Sequence, residues 1–193
     1  MLSKTIRFSS LLSFVLATTF LFATGGNEDS SFPVQNIDRT IAEIIASEPN
    51  FDELHELLAK DPTLLTLLDE EGSWTIFVPS NTAFIDLNKK AKLFLRTQPM
   101  VLQKFLDWHV TKQLITPEHI KVLGICTIAS YQYQFNLYAD CDQHNAIKIR
   151  DIPAVAMIRA KNGMIYAFDK MMICPDVLNE LNQGKIPARF DQD

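Results

Sequence analysis

The spacing of apolar residues changes along the chain, and this change restricts the fold more than any other feature. Between Asp38 and Leu68 apolar residues recur every three or four positions, which is the spacing of an amphipathic helix. From about residue 125 onward they recur at every second position, which is the spacing of a half-buried strand. Helices that precede strands, without a regular β-α-β alternation, predict an α+β fold.

Start signals divide the helical region into short helices. Thr40 with Glu43 has the spacing of a capping box, in which the hydroxyl and the carboxylate each satisfy a backbone donor of the other residue. Asn50 with Glu53 repeats this spacing, and Asp61-Pro62 places an N-cap before a proline at the first helical position. We therefore expect three short helices before residue 69 rather than one long helix.

Strand signals begin in the middle of the chain. A run of β-branched and aromatic residues over 74–78 predicts a strand that Pro79 ends, with Ser80 or Asn81 as the cap of the next helix. Strands over 155–159 and 164–168 flank Asn162-Gly163, which predicts a tight hairpin with positive φ.

The first 26 residues have the features of a secretory signal peptide. Lys4 and Arg7 precede an uncharged, mostly apolar run over 11–23, and small residues follow it. The alternative is an uncleaved signal anchor, but a spanning helix needs about 20 apolar residues and this run is shorter. We expect a signal peptide over 1–26, a polar leader over 27–36, one domain over 37–183 and a polar tail over 184–193.

The charge of the chain argues against a nucleic-acid partner. The 193 residues carry a formal net charge of −5, and nucleic-acid binding requires clustered lysine and arginine to displace counterions. Removal of residues 1–26 takes away Lys4 and Arg7 and no acidic residue, which lowers the net charge to −7. We expect an exported, acidic chain without a transmembrane anchor after cleavage.

Three motifs resemble the signatures of the fasciclin-like (FAS1) domain family, and they occur in the family's order. Residues 75–84 (TIFVPSNTAF) are similar to the first signature, and residues 106–110 (LDWHV) are similar to the central "YH" box. Residues 160–169 (AKNGMIYAFD) with 171–175 (MMICP) are similar to the second signature. The resemblance implies a wedge-shaped β-sandwich of about seven strands with short helices packed on it, covering residues 37–183.

The same resemblance implies a function in adhesion or extracellular interaction, without a cofactor or a catalytic site. The partner it implies is an extracellular protein, an envelope component or a carbohydrate. Met157-Ile158 stands where some animal members have an Asp-Ile pair associated with integrin binding, so integrin recognition is unsupported. The competing hypothesis is an exported carrier that holds a small ligand or lipid in a cleft lined by methionine and phenylalanine.

The motif residues are interpreted as structural. Nine positions belong to this set: Phe77, Pro79, Asn81, Phe84, Trp108, His109, Asn162, Gly163 and Asp169. Phe77 and Phe84 are expected in the core, and Asn81 is expected to be an N-cap. His109 is expected to be buried and neutral, with a ring nitrogen bonded to the backbone or to a carboxylate such as Asp169, because a buried imidazole without a partner is costly. Trp108 stands where the family has tyrosine, and Tyr166 stands where it has histidine.

No motif for catalysis or metal binding stands out. The chain lacks GxSxG, HExxH and P-loop patterns. Residues 140–145 (DCDQHN) combine carboxylates with an imidazole, but such a loop between strands is more often a solvated turn than a metal site.

Two further features leave alternatives open. Cys126, Cys141 and Cys174 are compatible with one disulfide or with buried thiols; in a hairpin turning near residue 130, position 126 is expected to face about residue 135. Tyr131, Tyr133 and Phe135 form either the core side of a strand or a stacking platform for sugars or bases.

Overall fold

Two sheets and a set of short helices build the described part of the chain. The structure is a computed structural model, and it describes residues 33–123, 126–131, 136–141 and 147–183. The helices are α1 (Ile41–Ser47), α2 (Asp52–Leu58), α3 (Pro62–Asp69), α4 (Asn81–Ile85), α5 (Lys89–Thr97), α6 (Pro99–Trp108), α7 (Pro117–Leu123) and α8 (Pro175–Gln183), with a short 3-10 helix (Pro49–Phe51) before α2. The strands are β1 (Val34–Asn36), β2 (Trp74–Pro79), β3 (Val110–Thr111), β4 (Cys126–Ala129), β5 (Asn136–Cys141), β6 (Ile147–Ile149), β7 (Ile152–Pro153), β8 (Ala156–Ala160) and β9 (Gly163–Phe168). The α+β fold class is confirmed.

The first sheet has five strands in the order β1-β8-β9-β2-β3. Its central pair, β2 and β9, is parallel and runs from Trp74 opposite Gly163 to Pro79 opposite Phe168. Every residue of both strands is buried. A strand covered on both faces needs apolar residues at consecutive positions, which is why β2 reads as a continuous apolar run.

The second sheet has four antiparallel strands in the order β4-β5-β6-β7. A two-residue turn, Arg150-Asp151, joins β6 to β7 with φ values of 49° and 67°. These positive values match the type I′ turn, whose twist suits two-residue hairpins.

The prediction for the Asn162-Gly163 hairpin is correct in its strands and wrong in its turn. β8 and β9 pair as an antiparallel hairpin, with Ala160 opposite Gly163. The non-glycine residues of positive φ in the described ranges are Arg150 and Asp151, so Asn162 is not one of them. Gly163 is the first residue of β9 and not part of the turn.

The polar leader expected over 27–36 contains a strand that the sequence analysis did not indicate. Val34–Asn36 forms β1, which pairs in parallel with β8 at the edge of the first sheet. Two of its three side chains are exposed, so backbone pairing rather than apolar periodicity holds the strand in place. This is why the sequence pattern did not indicate it.

The helix start signals are partly confirmed. The Thr40–Glu43 capping box is present, and Asp61 Oδ1 accepts the Leu64 N–H at 3.1 Å. The predicted Asn50–Glu53 box is wrong, because Asn50 lies within the 3-10 helix and α2 begins at Asp52. Helix α5 was not predicted at all, since its first turn is a lysine run and only Ala91 and Leu95 of this helix are buried.

Candidate functional site

Asn81 connects two helical segments and does not cap its own helix. Its side-chain Oδ1 accepts the Glu53 N–H at 3.0 Å, and its Nδ2 donates to the Pro49 carbonyl at 2.7 Å. Ser80 is the N-cap of α4, without a side-chain capping bond. The prediction that Asn81 caps the following helix is therefore wrong, because its amide satisfies the start of α2 instead.

Asn162, in the turn between β8 and β9, binds three backbone groups through its side chain. Its Oδ1 accepts the Ile41 N–H at 2.9 Å, and its Nδ2 donates to the carbonyls of Leu68 and Glu70, each at 2.8 Å. The Asn162 carbonyl also accepts the Trp74 N–H at 3.0 Å. One buried asparagine thus joins the start of α1, the end of α3 and the start of β2.

Gly163 is required by a close approach of two backbones. A Cβ at this position would lie 2.1 Å from the Trp74 carbonyl oxygen and 2.8 Å from Ile41 Cδ1. The Asn-Gly dipeptide is therefore architectural, but through packing against β2 rather than through turn geometry.

His109 is buried, and the partner it finds is the backbone. Its Nδ1 lies 2.7 Å from the Phe105 carbonyl, and the two rings are 4.5 Å apart between centroids. Burial lowers the pKa of His109 to about 4, although backbone contacts with Phe105 and Met172 favour the protonated ring. The imidazole is neutral at pH 7.

Asp169 is not the partner of His109. Asp169 is exposed, and its Oδ1 accepts a hydrogen bond from the Ser80 hydroxyl at 2.7 Å. This bond and the Ser80 N–H, which donates to the Phe168 carbonyl at 2.8 Å, continue the β2–β9 pairing beyond Pro79. Tyr166, which replaces the family's histidine, is buried and donates its hydroxyl to the Ile115 carbonyl at 2.9 Å.

The aromatic motif residues lie in the core. Phe77 stacks on Tyr166 with ring centroids 5.9 Å apart, and Phe84 packs against Phe105 at 6.5 Å. Trp108 is also buried, with the Arg150 guanidinium 6.0 Å from its ring. The aromatic residues of the signatures thus pack the sheets and helices against one another.

An open groove of about 490 Å³ lies between α3 and the α5–α6 region. We call it the Asp107 groove. It is lined by Lys60, Asp61, Thr63, Leu64, Leu67, Arg96, Pro99, Leu102, Gln103, Asp107 and Tyr131. Its volume lies within the roughly 300–1,000 Å³ range of small-molecule sites.

Asp107 is the unusual group of this groove. The residue is 1% exposed, and its Oδ2 is buried without a hydrogen-bond partner among the described residues. Burial, with a smaller contribution from the nearby charge of Asp61, raises the pKa of Asp107 to about 6. A buried carboxyl without a partner is costly, and such groups cluster at functional sites.

The cations beside the groove are engaged elsewhere. Arg96 forms ion pairs with Glu53 at 2.6 Å and Glu56 at 2.9 Å, and Lys60 Nζ donates to the Arg96 carbonyl at 3.2 Å. Arg96 and Lys60 carry two positive charges. The carboxylates of Glu53, Glu56, Asp61 and Asp107 carry four negative charges when Asp107 is ionised, so the net charge of the region is then negative.

Sequence reasoning missed this groove. The available signal was an acid within an apolar helix end, since Asp107 lies between Leu106 and Trp108 in a helix whose other buried residues are apolar. The companion residues come from α3 and α5, and nothing in the sequence pattern brings those helices together.

Tyr131 packs at the edge of the core. Its ring meets Trp74 edge-on at 5.6 Å between centroids, and Lys112 Nζ lies 4.7 Å from its centroid. Tyr131 is half-buried, whereas Tyr133 and Phe135 lie outside the described residues. The choice between a core strand and a stacking platform stays open for those two.

The cysteines have a different register from the expected one. Cys126 lies opposite Ala139, two residues from Cys141, and not opposite residue 135. Cys174 is a buried thiol whose sulfur accepts the Val177 N–H at 3.4 Å, and burial raises its pKa. The Cys126 side chain lies outside the described residues, so the alternatives of one disulfide or buried thiols stay open.

The described ranges contain neither a metal-ligand cluster nor a helix suited to span a membrane. No group of three or more metal-ligating side chains occurs there, but residues 142–145 of the loop considered for metal binding lie outside them. None of the described helices has the length and apolar character needed to cross a bilayer. The predicted signal peptide over 1–26 also lies outside the described residues.

The fold and the motif contacts define a class of protein: an α+β module whose signature residues build a scaffold. A similar solved structure is a FAS1 domain pair from the insect cell adhesion molecule Fasciclin I, with a TM-score of 0.56 and 14% sequence identity. The likeness covers 72% of this chain and 52% of that chain, and it confirms the expected fold.

The family follows from the sequence. The Fasciclin domain model matches residues 49–174, and the chain belongs to this family. The chain is 27% identical over 139 residues to Protein sll1483 of Synechocystis sp., covering 70% of this chain and 74% of that protein. It is 26% identical to transforming growth factor-beta-induced protein ig-h3 of Sus scrofa and 27% identical to Stabilin-1 of Homo sapiens, covering 74% and 72% of this chain. It spans only 20% and 6% of the lengths of those two animal proteins.

Proposed function

We propose that this chain is an exported fasciclin module that acts by binding an extracellular, envelope or carbohydrate partner, as in adhesion. The observation that carries the proposal is membership of the Fasciclin domain family, together with the likeness to a domain pair of an insect cell adhesion molecule. Export to the periplasm or the medium is supported by the basic start and the apolar run of residues 1–26.

Binding is favoured over catalysis by the use of the motif side chains. His109 is held by a backbone carbonyl, Asp169 by the Ser80 hydroxyl, and Asn81 and Asn162 by backbone groups of neighbouring elements. A catalytic acid–base pair needs groups within hydrogen-bond reach of each other and of a substrate. These signature residues instead contact the scaffold.

The carrier hypothesis has less support. The methionine and phenylalanine side chains of β8 and β9, Met157, Met164 and Phe168, are buried in the core. A cleft beside Met171 and Met172 has a volume of about 230 Å³. Ligand pockets usually start at about 300 Å³, so this cleft is small for a lipid.

The experiment is expression of the full chain in a bacterial host, followed by fractionation and a binding panel. We expect the protein in the periplasm or the medium, and a mass consistent with loss of about 26 residues. The exported protein is expected to bind saturably to cells, envelope fragments or glycans, with heat-unfolded protein as the control. Absence of binding across the panel, with a small molecule in the mass spectrum of the purified protein, would favour the carrier.

A further inference from the structure

Helix α5 begins with lysines that its own stability does not explain. Residues 89–96 (KKAKLFLR) contain four cationic side chains and no acidic one, in a chain whose formal net charge is −5. Three of these cations lie in the first four residues of the helix, and its first turn has no acidic residue. The N-terminus of a helix is the positive end of its dipole, so lysine there lowers the stability of the helix. A role outside the fold would account for these lysines.

The first two lysines of α5 are accessible and their charges are not compensated. Lys89 and Lys90 are exposed, and neither belongs to the ion pairs found among the described residues. Asp86 is an exposed carboxylate just before the helix, and it forms no ion pair with either lysine. Lys92 is half-buried, and Arg96 is already paired with two glutamates.

An exposed leucine shares the helix face of these two lysines. Leu93 is 61% exposed, and it follows Lys89 by four positions and Lys90 by three, the spacings at which helical side chains are neighbours. Ala91 and Leu95, on the other side of the helix, are buried. We call Lys89, Lys90 and Leu93 the α5 face. An accessible apolar side chain flanked by cations is typical of a helix that lies on an anionic membrane.

We propose that the α5 face docks on an anionic phospholipid surface, with the ammonium groups of Lys89 and Lys90 against lipid phosphates and Leu93 among the headgroups. This inference rests on the proposed function, of which it specifies an envelope partner. A bilayer is favoured over a soluble acidic polysaccharide, because only the bilayer offers an apolar region to Leu93. The acidic remainder of the chain is repelled by such a surface, which orients the domain with α5 towards the lipid.

The test is co-sedimentation of the exported chain with sucrose-loaded vesicles at low ionic strength. The exported chain is used because the apolar run over 11–23 would itself enter a bilayer. We expect saturable binding to vesicles of equimolar phosphatidylglycerol and phosphatidylcholine, and much weaker binding to phosphatidylcholine alone. Added salt is expected to weaken the binding, because it screens the lysine charges.

Two variants locate the contact. Lys89→Gln with Lys90→Gln is expected to lower the vesicle partition coefficient about twenty-five-fold, because each lysine contributes about five-fold at an anionic surface. Leu93→Ser is expected to lower it about five-fold, since an apolar side chain no longer leaves water. The lysine variant should unfold at the same urea concentration as the wild type or at a higher one, because an unfavourable interaction with the helix dipole is removed.

Each variant has a matched control. Lys161→Gln with Lys170→Gln removes two exposed lysines outside α5, and it should bind as the wild type does. Val122→Ser removes an apolar side chain of α7 that is 84% exposed and lacks the lysine pair, and it should also leave the partition coefficient unchanged.

Three outcomes would overturn the inference. These are absence of binding to the anionic vesicles, equal weakening in the control variants, and wild-type vesicle binding in Leu93→Ser that heparin abolishes, which would indicate an acidic polysaccharide as the partner. The proposed function fails separately. Binding to cells or glycans without any binding to vesicles would preserve adhesion and reject the α5 face, whereas α5-dependent vesicle binding without binding to cells or glycans would reject only the adhesion.

Discussion

At the scale of single residues, the polar side chains of the signatures act across long distances in sequence. The side chain of Asn162 binds backbone groups 92 to 121 positions away, and Asn81 binds groups 28 and 32 positions away. Turn and capping rules read from sequence are local, so they predicted positive φ at Asn162-Gly163 and an N-cap at Asn81. The sequence analysis singled out both asparagines, but it could not identify their hydrogen-bond partners, because those partners depend on tertiary packing.

A first prediction concerns Gly163→Ala. The added Cβ would meet the Trp74 carbonyl at 2.1 Å, and neither backbone can move without breaking the central strand pair. We expect a loss of about 3 kcal/mol or more in the free energy of unfolding, measured by urea denaturation.

Gly72→Ala is its matched control. There the new Cβ would meet the Trp74 ring nitrogen at 2.4 Å, and a side chain has more freedom to shift than paired backbone has. A smaller loss is expected in this variant. Equal losses in the two variants would contradict the assignment of Gly163 to a backbone contact.

A second prediction concerns the opposing titrations of His109 and Asp107. The pKa of His109 is lowered from 6.5 to about 4, so the unfolded chain binds the extra proton and stability falls as the pH decreases through this interval. The pKa of Asp107 is raised from 3.8 to about 6, so the folded chain holds the extra proton and stability rises over nearly the same interval. The two contributions offset each other in the wild type.

Asp107→Asn removes the contribution of Asp107 to this pH dependence and leaves that of His109. We expect the variant to lose about 2 kcal/mol more than the wild type between pH 7 and pH 4, as followed by urea denaturation at several pH values. Asp86→Asn should follow the wild type. A variant whose stability profile parallels that of the wild type would show that Asp107 titrates near its ordinary pKa.

At the scale of elements, the helices differ in what holds them. The start of α1 has its own capping box, whereas α2 borrows the side chain of Asn81 from α4. The sequence predicted α1 and α3 because their caps lie within the helix itself. It did not predict α5, because this helix begins with lysines and has only two buried positions. It did not predict β1, because most side chains of this strand are exposed and backbone pairing holds the strand in place.

A third prediction tests the borrowed cap. Asn81→Ala removes the acceptor of the Glu53 N–H and the donor to the Pro49 carbonyl, and we expect a loss of about 1–2 kcal/mol in unfolding free energy. Faster hydrogen exchange is expected at the Glu53 amide, because the first turn of α2 loses its partner.

Asn50→Ala is the comparison for Asn81→Ala. The Asn50 side chain bonds to Glu48, two residues earlier, so its removal is expected to cost well under half as much. If Asn50→Ala proved the more damaging change, the local capping box predicted from the sequence would be the better description.

At the scale of the whole molecule, the fold class could be predicted but the groove could not. The order of helical and strand periods indicated an α+β chain, and three motifs indicated the family. The Asp107 groove is formed by residues from Lys60 to Tyr131, brought together by the packing of α3, α5 and α6. The spacing of apolar residues does not indicate how these helices pack. The one sequence signal for the groove was Asp107, an acidic residue in the apolar end of α6.

The pairing of β2 with β9 has a consequence for the order of events during synthesis. Trp74 and Gly163 lie opposite each other although about 90 residues separate them, and closing so long a loop is entropically costly. The first sheet therefore cannot form its centre until residue 168 has emerged from the ribosome. A chain that stays open for most of its translation suits the export proposed above, because an export channel accepts an unfolded polypeptide.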